Sequence, residues 1–152
     1  MVRHYRGWNA TDPLVPEAEA VLVFLEALSA RGALAELGDV VAQVDEYGVV
    51  RAEMPVAEAS VFLQAGDGWD RVIWTTPSGR AYEWQWDAAR GPEHVSGLIE
   101  GRGIERVTYW GGRRLASDLV VDGRTLSSSG GLLRGLLRRM GPAVARREAP
   151  AR

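Results

Sequence analysis

Residues 80–87 read Arg80-Ala81-Tyr82-Glu83-Trp84-Gln85-Trp86-Asp87. Aromatic and polar side chains alternate with a period of two, as in a β-strand with one apolar face and one wet face. Upstream, Ser60–Ala65 and Trp69–Thr75 are short apolar runs of strand length. Ala65-Gly66-Asp67-Gly68 and Thr76-Pro77-Ser78-Gly79, which join these runs, have turn composition. The three runs predict an antiparallel meander. Downstream, Ile104–Trp110 leads through Gly111-Gly112 to a strand ending Leu119-Val120-Val121. Asp122-Gly123, the strongest hairpin signal in the chain, then returns it as Arg124-Thr125-Leu126, giving a second meander.

Helical patterns flank these strands. Pro16 fits a first helical position, and Val21, Leu22, Leu25 and Leu28 form an apolar stripe closed by Arg31-Gly32. Pro92-Glu93 opens a short helix that Gly101 ends. Leu132–Met140 is expected to be a third helix, stopped by Gly141-Pro142. Residues 33–54 fit either a helix or a hairpin. We expect a short helical turn followed by a hairpin of Val40–Val44 with Val49–Met54 across Asp45-Glu46-Tyr47-Gly48. The expected fold is α+β: an antiparallel sheet of two meanders with about three helices on one face, a two-layer sandwich. Residues 1–15 are expected to be an irregular lead, 16–141 a single domain, and 142–152 a flexible basic tail.

The chain has 152 residues, 46% hydrophobic and 25% charged, values ordinary for one globular domain. It contains no cysteine, which excludes disulfides, thiolate nucleophiles and cysteine-ligated metals. Lysine is also absent, so all 18 basic residues are arginine and Schiff-base chemistry is excluded. Residues 1–101 hold 7 arginines against 16 acids, net −9, whereas residues 102–152 hold 11 against 4, net +7. Such asymmetry suits either a basic arm for an acidic partner or two faces that attract each other. No run of apolar residues is long enough to span a membrane, and no signal-peptide core follows the basic start. A cytoplasmic protein of a GC-rich bacterium is the expectation.

Two sets of residues are candidates for binding. The first is aromatic: Trp69, Trp74, Tyr82, Trp84, Trp86 and Trp110. These rings either fill the core or supply anchors for a partner, and six tryptophans exceed what so small a core needs. The second is basic: Arg134, Arg138 and Arg139 on the third helix, with Arg146 and Arg147 beyond it. These are either solvated, paired with the acidic portion, or an arm for nucleic-acid phosphates, anionic lipid or a partner groove.

Other constellations favour plain readings. Glu83 and Asp87 lie opposite the tryptophans, as a solvated sheet face would have them. His94 and Ser96 are two apart on a helix and point in different directions, so they make no nucleophile–base pair. Ser127-Ser128-Ser129-Gly130-Gly131 reads as a flexible link and helix cap, without nucleotide-binding spacing. No catalytic group, metal site or cofactor is expected. The expected function is that of a small non-catalytic interaction module, adaptor-like or immunity-like, which binds another protein through an aromatic sheet surface. The alternative is a nucleic-acid-associated protein using the arginine-rich C-terminus.

Overall fold

The computed structural model describes residues 2–6, 16–33, 40–44, 50–66, 70–86, 90–130 and 144–152. Strict alternation of buried and exposed residues marks β3 (Val50–Val56), whose Ala52, Met54 and Val56 point inward while Arg51, Glu53 and Pro55 face water. β3 pairs antiparallel with β2 (Val40–Val44), as the hairpin reading expected, and with β4 (Ala59–Ala65). β5 (Arg71–Thr75) and β6 (Ala81–Gln85) complete the first meander. β1 (Val2–Arg6) lies parallel to β2, so the sheet has six strands in the order β1-β2-β3-β4-β5-β6. That strand corrects the expectation of an irregular lead over residues 2–6. A parallel neighbour 34 or more residues away leaves no local sequence signal.

The second meander is not an extension of this sheet. It consists of β7 (Gly103–Trp110), β8 (Arg113–Val121) and β9 (Arg124–Ser129), which form a separate antiparallel sheet. β10 (Val144–Pro150) adds to its far edge, giving the order β10-β7-β8-β9. Two expectations are thereby corrected. Ser127–Ser129 belong to a strand and not to a flexible link. Residues 144–150, expected in a loose tail, pair along the whole of β7, from Val144 opposite Trp110 to Pro150 opposite Ile104. The end of the chain is anchored further: the Ala151 N–H donates to Gly103 O at 3.1 Å, and Arg152 donates to the Ile99 carbonyl. The expected third helix, Leu132–Met140, lies outside the described residues, as do the helical turn after residue 33 and the turn at 45–49.

One core joins both sheets. α1 (Pro16–Ala30) buries Val21, Phe24, Leu25 and Leu28 against β3 and β4. α2 (Gly91–Ile99) buries Val95, Leu98 and Ile99 between α1 and the second sheet. Leu119 and Val121 of β8, with Ala151, enter the same cluster. Edge strands β6 and β9 meet where Ser127 Oγ donates to Glu83 O at 2.8 Å. The fold class is therefore α+β as expected. Among the described residues, however, the inner face of the six-stranded sheet is covered by two helices and a second sheet rather than by helices alone. Among the described residues, no helix is long and apolar enough to cross a membrane.

Candidate functional site

Most of the aromatic row is interior. Trp74 is fully buried, and its indole N–H donates to Ala151 O at 2.8 Å, which gives a large ring the polar partner it needs inside a core. Trp86 stacks on Phe24 with ring centroids 4.5 Å apart and planes 17° from parallel. Tyr82 is buried beside the second sheet. These three are core residues and offer no exposed anchor, so their expected place on a binding surface is corrected. Trp84, paired with Val72 on the same face, is half-buried. Trp69 lies outside the described residues. Glu83 and Gln85 are exposed on the opposite face, as the alternation required, and Asp87 is not among the described residues.

Tyr82 belongs to a buried polar latch that joins the sheets. Its hydroxyl donates to Glu105 Oε1 at 2.8 Å, and the same oxygen accepts from Ser78 Oγ at 3.1 Å and Thr76 Oγ1 at 3.2 Å. Arg80 Nη1 lies 3.2 Å from Glu105 Oε2. Burial pushes the Glu105 carboxyl up, but the hydrogen bonds from Tyr82, Ser78 and Arg80 and the Arg80 charge outweigh it and hold it below its usual value. Desolvation pushes the Tyr82 phenol up to about 12; Ser117 opposes that, and the neighbouring carboxylate reinforces it. Both Glu105 oxygens are engaged by donors, so the arrangement holds the sheets together and presents no open base. Ser96 Oγ donates to Glu100 Oε1 at 2.7 Å and not to His94. Among the described residues, no group of three or more His, Asp or Glu side chains could hold a metal.

Among the described residues, the exposed large aromatic is Trp110, 44% accessible at the end of β7. Gly111-Gly112, with φ of 55° and 76°, turns the chain tightly in the left-handed region that glycine tolerates, and sends it straight into Arg113-Arg114. Trp110 pairs with Arg113 on β8 and with Val144 on β10; Tyr109 pairs with Arg114 and Ala145. The register then shifts between Thr108 and Tyr109, which leaves Leu115 without a partner on β7. On β10, Arg146 is opposite Thr108 and Arg147 is opposite Val107. Alternation puts Trp110, Arg113 and Arg146 on one face, and Tyr109, Arg114 and Arg147 on the other. The Arg147 guanidinium stands 5.3 Å from the centroid of the Tyr109 ring. A shallow cavity of about 180 Å³ opens there between Tyr109, Gly111, Gly112, Ala145 and Arg147.

Two candidates read separately from the sequence thus meet: Trp110 from the aromatic set, and Arg146 and Arg147 from the basic set. Arg134, Arg138 and Arg139 lie outside the described residues. Sequence reasoning missed Arg113 and Arg114, which it passed over as the far side of a glycine turn. Among the described residues, Arg106 is neutralised by Glu148 at 2.7 Å, whereas Arg113, Arg114 and Arg146 form no ion pair. Uncompensated like charges this close repel one another and favour an anionic partner. No protein-family model matches the chain, and no curated protein or solved structure is similar to it at a significant level.

Proposed function

We propose that this chain is a small non-catalytic interaction module, adaptor-like or immunity-like, that holds an acidic segment of another protein at the β7–β8 tip. One observation carries it: an exposed tryptophan in register with Arg113 and beside Arg146, in a corner where these arginines form no ion pair among the described residues. An indole that shares its sheet face with two arginines combines an apolar anchor with charge that steers association, the composition favoured at binding hot spots. The composition set out above suits a cytoplasmic bacterial protein. Titration with an oligoglutamate peptide at physiological salt, followed by Trp110 fluorescence, tests the surface. Binding that is lost in Arg113→Glu/Arg146→Glu supports it; equal binding by wild type and variant contradicts it.

A nucleic-acid reading has its own support, because the exposed Trp110 ring can stack on a base beside Arg113 and Arg146, while Arg114 and Arg147 stand on the opposite face of the same tip. Four phosphate contacts on a single strand would give a log–log salt slope of about −3. Oligothymidine bound at physiological salt with that slope, in preference to oligoglutamate, would favour this second reading.

A further inference from the structure

The last strand leaves one edge of the second sheet open. Among the described residues, β10 has β7 as its single neighbour, at the end of the order β10-β7-β8-β9. Residues 145–150 are all exposed, so neither face of the strand is covered there. The Ala151 N–H donates to Gly103 O, and inward and outward groups alternate along an antiparallel ladder. Residues 145, 147 and 149 therefore bond to β7, while the N–H and C=O groups of Val144, Arg146 and Glu148 point away from it. Pro150, next in that outward set, has no N–H to leave unpaired. Such a row is a template for another strand. Charge of one sign would repel a second copy, but Arg146 and Glu148 are opposite in sign and two apart, hence on one face.

We propose that this edge binds a second copy of the chain, β10 against β10 in antiparallel pairing about a two-fold axis through Arg147. β10 runs from Val144 to Pro150, seven residues with Arg147 at the centre. Full overlap therefore sets Arg146 opposite the partner's Glu148, and Glu148 opposite the partner's Arg146. Both are hydrogen-bonded positions, because these residues carry the outward backbone groups. Glu148 already holds Arg106 at 2.7 Å, so its carboxylate would lie between two guanidinium groups. On the other face Arg147 meets the partner's Arg147, the one like-charge pair. Each is drawn instead over the Tyr109 ring of its own chain, 5.3 Å from the centroid. Slipping the register by two residues sets either Arg146 or Glu148 opposite its own copy, so the charges select full overlap. The pairing joins the two four-stranded sheets into one. Trp110 and Arg113 lie on β7 and β8, outside the paired strands, whereas Arg146 belongs to both surfaces.

Sedimentation velocity of the full chain at physiological salt, over a series rising to about 1 mM, suits so small an interface. The average mass is expected to climb from 16.6 kDa toward twice that value. Glu148→Arg leaves only cations on that face of the junction, and Arg146→Glu only anions. Each variant alone should dimerise at least about tenfold more weakly. Both positions are exposed, so the melting temperatures should change little. An equimolar mixture of the two variants restores both opposite-sign pairs, and the mixed dimer should regain about the affinity of the unaltered chain. That rescue separates a lost interface from a lost fold. A chain still monomeric at about 1 mM would overturn the proposal and leave the edge to an extended segment of a different protein. Variants that dimerise as tightly as the unaltered chain would overturn it too, as would a mixture of folded variants no tighter than either alone.

Discussion

Replacing Glu105 by Gln removes one negative charge and nearly preserves the side chain's shape. Oε1 now accepts from Tyr82 at 2.8 Å, Ser78 at 3.1 Å and Thr76 at 3.2 Å, while Oε2 faces Arg80 at 3.2 Å. A hydrogen bond to a charged group contributes about 1.5–3 kcal/mol, against roughly 1 kcal/mol for a neutral pair. The short Tyr82 bond should therefore lose about 1 kcal/mol and the two longer bonds about 0.5 kcal/mol each. The new amide N–H points at another donor, Arg80; because that guanidinium is 29% exposed, losing the pair costs only about 0.5–1 kcal/mol. Burying an amide rather than a carboxylate offsets about 0.5–1 kcal/mol. The net is about 2 kcal/mol, which in a chain of this size lowers Tm by about 4–8 °C. The sign of the pH dependence follows from the lowered carboxyl. A group held below its ordinary 4.5 stabilises the fold above that pH, and the contribution disappears as pH falls through the lower native value. Urea unfolding followed by circular dichroism should therefore show the largest gap between wild type and Glu105→Gln at neutral pH, closing in acid. Equal stability at neutral pH, or a gap that persists in acid, would refute the claim that the charge holds the latch.

Tyr82 gives the complementary test in alkali. Its phenol titrates near 12 in the folded chain against 10.0 ordinarily, so about 2–3 kcal/mol present below pH 10 should be lost between 10 and 12. Tyr82→Phe should lack that loss, and the same fall in both proteins would contradict it. Deleting residues 144–152 removes β10 and the acceptor of the Trp74 N–H, so we expect a loss of about 3 kcal/mol or more; a truncated chain melting within a few degrees of wild type would restore the view of a dispensable tail. Trp74→Ala should cost about 3–5 kcal/mol in denaturant titrations, because the ring is fully buried. Trp110→Ala should stay within about 0.5 kcal/mol, as an exposed position does.

The parts of this fold legible in the sequence are those fixed by neighbours along the chain. Alternation placed Tyr82 and Trp84 on one face and Glu83 and Gln85 on the other. Asp122-Gly123 named its hairpin, and the residues take φ of 48° and 79° as such a turn requires. The turn at Ala57-Glu58 was not legible, because Ala57 adopts a φ of 53° without the glycine or asparagine that normally announces it. Nor was β10: Val144-Ala145-Arg146-Arg147-Glu148-Ala149-Pro150 has the composition of a tail and becomes a strand only by pairing with β7, some forty residues earlier. The arginine corner depends on that same long-range pairing, so neither Trp110 nor Arg146 could signal it alone. Glu105 did leave a trace. It has the same parity on its strand as Val107 and Tyr109, a charged residue on a core-facing register.

The claim that recognition lies at the β7–β8 tip and not on the aromatic sheet is tested most directly by comparative capture. Immobilised wild type and the Arg113→Glu/Arg146→Glu variant, matched for melting temperature, would each be exposed at physiological salt to a nuclease-treated lysate of the source organism. The bound proteins would then be quantified by mass spectrometry. The account predicts a protein retained in near-stoichiometric amount by wild type and lost, by at least about tenfold, from the variant. The same partner captured equally by both would contradict it.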